Sequence, residues 1–151
     1  MIELNILKDR LQNSYLGDIN LSIFVNKFIY GKVIETDKEY ETKYCIKHGL
    51  YKQYYENGSL EYMSTYKNGK LDGEYKEWSE KGILVEHSYY KDSLLHGEYN
   101  LYYASGKLFR EGVYINGKRE GEFKEWYSDR QLLFHGIYKN DEINKLLFYD
   151  L

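Results

Sequence analysis

The feature that most constrains this chain is an internal repeat of 24 residues. Four segments align without gaps, namely HGLYKQYYENGSL from His48, DGEYKEWSEKGIL from Asp72, HGEYNLYYASGKL from His96 and EGEFKEWYSDRQL from Glu120. The step is plain in one glycine column, which holds Gly49, Gly73, Gly97 and Gly121. A fixed period of this length predicts stacked repeats, in which each unit packs chiefly on its neighbours.

Each repeat contributes two aromatic residues and one small residue at fixed positions. The first aromatic column holds Tyr51, Tyr75, Tyr99 and Phe123, and the second holds Tyr54, Trp78, Tyr102 and Trp126. The two columns are three residues apart, so strict alternation along a strand puts them on opposite faces. A bulge near residue 53 is the alternative that would bring them together. A third column, Ser64, Ser88, Gly112 and Gly136, predicts a gap that a ring of the neighbouring repeat covers.

Two turn signals per repeat divide the chain into short Tyr-rich segments. ENGS at 56–59 predicts a type I′ turn, because Asn-Gly supplies two residues with positive φ. Its fourth copy, SDRQ, lacks glycine, and Asp129 and Arg130 should weaken that turn. KNGK at 67–70 and its copies supply the second turn, and we interpret the glycines of the repeat as turn glycines. The predicted fold is all-β, an elongated, twisted antiparallel meander of β-hairpin repeats.

The repeats imply a single domain over 1–151 with distinct ends. We predict a non-repetitive N-terminal cap at 1–24, a degenerate repeat at 25–47, four repeats at 48–143 and a C-terminal capping strand at 144–151. Exposed sheet ends invite pairing with other chains, so a homodimer is a possible assembly. Whether 1–47 is a cap or the element that recognises a partner stays open at this point.

Composition narrows the classes of function. Net charge is −3 with both signs interspersed, so no basic patch predicts direct nucleic-acid binding. No apolar run approaches the roughly 20 residues that span a bilayer, so we expect no membrane insertion. The opening MIELNILKDR lacks the pattern of a signal peptide, and Cys45 stands alone. We therefore expect a cytoplasmic protein in which Cys45 is a small apolar residue.

The side chains capable of catalysis do not converge in the sequence. His48 and His96 share a column but lie two repeats apart, roughly 20 Å in a sheet, too far for one zinc site. We interpret them as polar residues beside a glycine turn. The glutamate columns, with Lys52, Lys76 and Lys124 nearby, favour cross-strand charge pairing on a solvated face. We predict no catalytic, metal or cofactor-binding residues and no enzymatic activity, although an enzyme of unknown type is a weaker alternative.

The repeat resembles the MORN repeat (membrane occupation and recognition nexus) in its variant form, as found in YwqK-type antitoxin proteins. The resemblance rests on GLYKQYYENGSL at 49–60 and YKNGKLDGEY at 66–75, with their later copies, and covers about 48–143. It implies hairpin repeats and a protein partner such as a toxin, effector or nuclease. Residues 1–47 are not covered, and the fourth turn departs from the pattern.

We therefore expect a non-enzymatic protein-binding module, first of all an antitoxin or immunity protein that neutralises a toxin by direct binding. An inhibitor of a host defence nuclease encoded by a phage or mobile element is one alternative. A membrane-associated MORN scaffold is another, although neither a basic patch nor an amphipathic helix is evident. For partner binding we favour the second aromatic column, which holds Tyr54, Trp78, Tyr102 and Trp126. The same column could instead belong to the core.

Overall fold

The computed structural model describes residues 30–34, 37–43 and 46–150. These residues form twelve strands and no helix. The strands are β1 Tyr30–Ile34, β2 Lys38–Lys43, β3 Ile46–Tyr54, β4 Leu60–Lys67, β5 Lys70–Trp78, β6 Leu84–Lys91, β7 Leu94–Tyr102, β8 Leu108–Ile115, β9 Lys118–Arg119, β10 Gly121–Trp126, β11 Leu132–Lys139 and β12 Glu142–Tyr149. The predicted all-β hairpin fold is confirmed. The predicted cap at 1–24, Cys45 and much of 25–47 lie outside the described residues.

The strands follow one another through a single open sheet. Each pairs antiparallel with the next along the chain. The short β9 and the longer β10 both pair with β8, and Glu120 separates them. Among the described residues, substantial contacts between strands occur only between neighbours in this order. The sheet is therefore one layer thick there, as expected when consecutive hairpins stack side by side.

Strand register assigns side chains to two faces, because residues directly opposite each other share a face. We call one the aromatic face; its central row holds Tyr51, Ser64, Tyr75, Ser88, Tyr99, Gly112, Phe123 and Gly136. We call the other the charged face; its central row holds Lys52, Met63, Lys76, His87, Asn100, Glu111, Lys124 and His135.

The core of the described chain lies on the aromatic face. All the buried residues belong to this face, and they are Tyr51, Ser64, Ser88, Phe123, Gly136 and Tyr138. Ser64 and Ser88 are completely covered, at 0% exposure. At Gly112 the ring of Phe123, from the following repeat, fills the space where a β-carbon would be. The prediction that a ring of the neighbouring repeat covers the small residue is confirmed at Gly112, whereas at Gly136 the ring that fills this space is Phe134 of the same strand.

The two turns of each repeat differ in geometry, and one prediction about them is wrong. At ENGS only Gly58 has positive φ, +82°. The backbone N–H of Tyr55 donates to the carbonyl of Ser59, and the carbonyl of Tyr55 accepts the N–H of Gly58. This is a three-residue loop ending in a left-handed residue, not a type I′ turn. The second turns instead have positive φ at two consecutive residues, as at Asn68 and Gly69. Asn57 favours the longer loop because its Oδ1 accepts the backbone N–H of Ser59 at 2.8 Å.

A second correction concerns the column that begins at Gly49. These glycines lie within strands rather than in turns. Between β4 and β5, Ser64 pairs with Tyr75 and Tyr66 with Leu71, so β5 carries two extra residues at this bulge. Gly73 has φ of +129° there, and an added β-carbon would lie 3.0 Å from that of Thr65. The column needs glycine for its backbone conformation and for close approach to the previous strand.

The bulges let each second turn dock on the repeat before it. The backbone N–H of Gly69 donates to the carbonyl of Lys47 at 2.9 Å, and Ser93 and Gly117 repeat this bond with Leu71 and Leu95. Each repeat is thereby joined to the next at its hairpin tip as well as along its strands. This arrangement explains why the glycine column and the second turn recur with the same period.

Candidate binding surface

The second aromatic column lies at the ends of strands, next to the first turn of each repeat. Tyr54, Trp78, Tyr102 and Trp126 end β3, β5, β7 and β10. Each lies directly opposite a leucine; these leucines are Leu60, Leu84, Leu108 and Leu132. All eight side chains are partly exposed. We call this set the aromatic–leucine row.

The row belongs to the charged face. The hydroxyl of Tyr54 donates to Glu39 at 3.3 Å, and Glu39 lies opposite Lys52 of the charged face. The hydroxyl of Tyr51 instead donates to Gln53 at 2.9 Å on the aromatic face. Both faces therefore carry aromatic residues, as strict alternation predicts. The bulge near residue 53 does occur, but its extra residue is Glu61 on the partner strand, so it does not bring the two columns together.

The aromatic–leucine row recurs in every repeat on the charged face, with one aromatic–leucine pair at each first turn. Hydrogen bonds between side chain and backbone join the repeats beside this row. The hydroxyl of Tyr55 donates to the backbone carbonyl of Trp78 at 2.9 Å. The hydroxyl of Tyr103 donates in the same way to the carbonyl of Trp126 at 2.7 Å. Trp and Tyr are enriched at the centres of protein interfaces, where their rings bury large areas. The row can therefore supply an apolar contact with fixed spacing.

Two equivalent ion clusters lie beside this row on the charged face. Glu74 accepts from Lys76 at 2.7 Å and contacts His87 at 3.0 Å. Two repeats later, Glu122 pairs with Lys124 at 3.0 Å and lies 3.5 Å from His135. In both clusters the lysine, first of all, lowers the pKa of the glutamate carboxyl below its ordinary value. These lysine–glutamate pairs lie along one strand rather than across strands as predicted, although Lys124 also lies 3.7 Å from Glu111 on the neighbouring strand.

The aromatic face contains a like-charge pair that the sequence reasoning missed. Glu77 and Glu86 lie directly opposite each other in adjacent strands. The hydroxyl of Tyr75 donates to Glu77 at 2.9 Å, and the hydroxyl of Ser88 donates to Glu86 at 2.7 Å. Burial, followed by the nearby charge of Glu77, raises the pKa of the Glu86 carboxyl. The signal was present, because Glu86 falls in a column otherwise held by Tyr62, Arg110 and Phe134.

The column of His48, Asp72, His96 and Glu120 has a clear structural role. Each side chain accepts the backbone N–H of the first left-handed residue in the second turn of its own repeat. Nδ1 of His48 accepts from Asn68 at 3.4 Å, and Oε2 of Glu120 accepts from Asn140 at 3.0 Å. Asp72 and His96 make the same bond to Asp92 and Asn116. The sequence interpretation placed these residues beside a glycine turn, whereas they stabilise the tip of the following hairpin.

The concave features of the described chain are less suited than the aromatic–leucine row to binding a partner. A cleft of about 480 Å³ lies between successive hairpin tips, where Lys67, Lys70 and Lys91 meet Asp72 and Asp92. Its charges offset one another, and Lys70 is already paired with Asp92 at 3.1 Å. Within 30–34, 37–43 and 46–150, no three His, Cys, Asp or Glu side chains are grouped closely enough to hold a metal ion. No helix in this part of the chain could span a membrane.

Comparison with known families agrees with the geometry. A family model described as MORN repeat variant matches residues 47–68, 71–92 and 95–116. The matches cover the first three copies, and the fourth copy, which has the same strands and turns, lies outside them. MORN repeats generally serve as modules that bind proteins or membranes. A search among curated proteins gave no match.

Proposed function

Because residues 47–116 hold three variant MORN repeats, we propose that the chain is a non-enzymatic protein-binding module. The observation that carries this proposal is the aromatic–leucine row, a set of partly exposed apolar side chains that recurs in every repeat of a one-layer sheet. Its aromatic members recur every 24 residues on a sheet of paired strands, so the chain needs little rearrangement to present them to a partner. The paired charges beside the row supply a polar rim.

The partner we propose is a toxin or effector that the chain neutralises by covering its active site, which makes the chain an antitoxin or immunity protein. The resemblance to YwqK-type antitoxins supports this choice, and a rigid repeat surface suits stoichiometric occlusion. Inhibition of a host defence nuclease by a phage or mobile-element protein would use the same surface. The gene next to this one discriminates between the two, since a neighbouring toxin gene supports the first.

Affinity purification from the native host, followed by mass spectrometry, tests the proposal. We expect one protein to be captured by the intact chain and lost when Trp78→Ala and Trp126→Ala are combined. The matched control is Lys52→Ala with Asn100→Ala, which changes the same face outside both the row and the two ion clusters. Circular dichroism establishes that each variant keeps its strands. Capture of the same protein by all three chains would exclude the aromatic–leucine row as the contact.

Membrane binding is a separate outcome of the same programme. Sedimentation with vesicles of phosphatidylcholine and phosphatidylserine measures it directly. We expect the chain to stay in the supernatant, because its charges are mixed and its net charge is −3. Sedimentation with the vesicles would favour a membrane-associated scaffold instead.

Self-association is a further property that we propose. Every residue of β12 is exposed, and Ile143, Leu146 and Tyr149 are 53–56% exposed. An exposed apolar edge strand is a common site of pairing between copies. Light scattering across a range of concentrations measures this association, and a constant monomer mass would exclude it.

A further inference from the structure

The aromatic face holds its own cations over its rings, except in the middle of the sheet. Nζ of Lys47 lies 3.8 Å from the ring centre of Tyr51 in the first repeat. The guanidinium of Arg119 lies 4.1 Å from the ring centre of Tyr138 in the fourth. The equivalent positions in the second and third repeats are Leu71 and Leu95. These contacts show how a cation binds this face, and among the described residues no cation lies over the rings of Tyr75, Tyr90 or Tyr99.

The carboxylates of the aromatic face also differ between the middle of the sheet and its ends. Arg110 donates to Glu125 across neighbouring strands at 2.7 Å. In the same row, Glu77 and Glu86 lie opposite each other, and among the described residues neither forms an ion pair with a cation. Like charges directly opposite in a sheet are destabilising. A cation between Glu77 and Glu86 would replace that repulsion by the attraction that Arg110 provides for Glu125.

The ring contacts of the face are interrupted at the same place. They run from Tyr40 through Tyr51, Tyr62 and Tyr75 to Tyr90. They resume at Tyr99 and continue through Tyr114 and Phe123 to Tyr138. Within the described chain no ring contact joins Tyr90 to Tyr99, and Glu86 stands where the preceding repeat has the ring of Tyr62. Tyr75 on β5 and Tyr99 on β7, both partly exposed, lie in the row next to the two carboxylates.

We propose that this break is a docking site for an arginine side chain of a protein partner. The guanidinium lies between the carboxylates of Glu77 and Glu86, and its plane packs on the rings of Tyr75 and Tyr99. Arginine fits better than lysine, because its planar fork can donate to two carboxylates while it stacks on an aromatic ring. The site lies on the opposite face from the aromatic–leucine row and rests on the proposed function only in taking its occupant to be a protein.

A blocked tripeptide, acetyl-Leu-Arg-Leu-amide, is a direct probe, and the same peptide with citrulline in place of arginine is its neutral isostere. NMR titration of the full chain should give saturable shifts centred on Tyr75, Tyr99 and residues beside them. The citrulline peptide should bind about tenfold more weakly, as expected for loss of a charge-assisted hydrogen bond. Equal binding of both peptides, or shifts centred on the charged face, would overturn the proposal.

Variants of the chain sharpen the test. Glu77→Gln should weaken binding of the arginine peptide about tenfold. Glu86→Arg should abolish it and raise the melting temperature, because the new side chain pairs with Glu77 as Arg110 pairs with Glu125. The matched control is Glu74→Gln, on the same strand but the opposite face, which should leave the affinity unchanged. Unchanged binding by Glu86→Arg would contradict the site, whereas the proposed function is tested separately by capture from the host.

Discussion

The ring of Phe123 packs against the backbone of Gly112, where a β-carbon would lie 2.5 Å from Cζ of the ring. Adjacent repeats are joined by this contact on the aromatic face, and Ser64 and Ser88 occupy the corresponding covered positions in the earlier repeats. Because the sheet has no second layer among the described residues, its buried residues all lie on this face. The stability of this chain therefore depends on the packing between adjacent repeats.

Replacement of Gly112 by alanine should destabilise the sheet. The added methyl group cannot fit beside Phe123 without moving the ring or the strand, and overpacking of this kind costs about 1–3 kcal/mol. Urea denaturation followed by tyrosine fluorescence gives the free energy of unfolding. Val113→Ala is the control, since Val113 is 38% exposed and lies one residue away on the other face. An unchanged stability for Gly112→Ala would show that the ring is free to move.

The first turn of the fourth repeat contains a strained backbone conformation that a substitution can relieve. Arg130 takes φ of +77° where the earlier repeats have Gly58, Gly82 and Gly106. Arg130→Gly should stabilise the chain by about 1 kcal/mol, because glycine adopts positive φ without steric cost. Gly58→Ala is the converse change, and its β-carbon would meet no atom within 4 Å, so only φ is tested. Thermal unfolding should move in opposite directions for the two variants, and a parallel change would refute the assignment.

The hairpin tips should depend on one side-chain acceptor each. Nδ1 of His96 accepts the backbone N–H of Asn116 at 3.3 Å, and Asp72 makes the same contact one repeat earlier. His96→Asp should therefore preserve stability, while His96→Leu should lose about 1 kcal/mol. Amide hydrogen exchange at Asn116 provides the local measurement. Equal exchange rates in the leucine and aspartate variants would mean that the hydrogen bond contributes nothing.

Two glutamates on opposite faces should give opposite pH signatures. Lys76, with His87, lowers the pKa of Glu74 from 4.5, so its ionised form stabilises the fold above that value. Glu74→Gln should therefore reduce the free energy of unfolding at pH 7. The deficit should disappear as the pH falls through the lowered pKa of Glu74, where the native carboxyl is also neutral.

Glu86 should behave in the reverse sense. Burial raises its pKa above the ordinary value of 4.5, so its ionised form destabilises the fold above the raised pKa. Glu86→Gln should increase the free energy of unfolding at pH 7, and the gain should vanish once the pH is below 4.5. Unfolding curves of both variants and the parent chain across this range provide the comparison. A loss of stability at pH 7 for Glu86→Gln would contradict the account of the carboxylate pair.

The sequence predicted the hairpin repeats because their period, turn residues and aromatic columns are all local signals. It also predicted the cover over Gly112, since a column restricted to Ser and Gly indicates a gap beside a neighbouring ring. The two-residue bulge at Gly73 was not predictable in this way. Positive φ permits either a turn or a bulge, and the choice depends on where the next hairpin tip docks.

The pairing of Glu77 with Glu86 shows a different limit. Either residue alone is an ordinary strand glutamate, and only the register makes them neighbours. Register across the first turn depends on the length of its loop. The sequence predicted a two-residue loop at Asn57 and Gly58, whereas the loop has three residues. A type I′ turn there would give different cross-strand pairs. The roles of Trp78 and Trp126 as partner contacts stay a prediction. The face on which a side chain lies does not identify the protein that binds there.

The most direct test of the central claim is a titration of the captured partner's activity with the purified chain. The account predicts that activity falls in proportion to the amount of chain added and is abolished at equimolar amounts. The Trp78→Ala, Trp126→Ala double variant should fail to inhibit at the same concentrations. Complete inactivation by a small fraction of an equivalent, progressing with time, would show that the chain acts catalytically on its partner and would contradict the account.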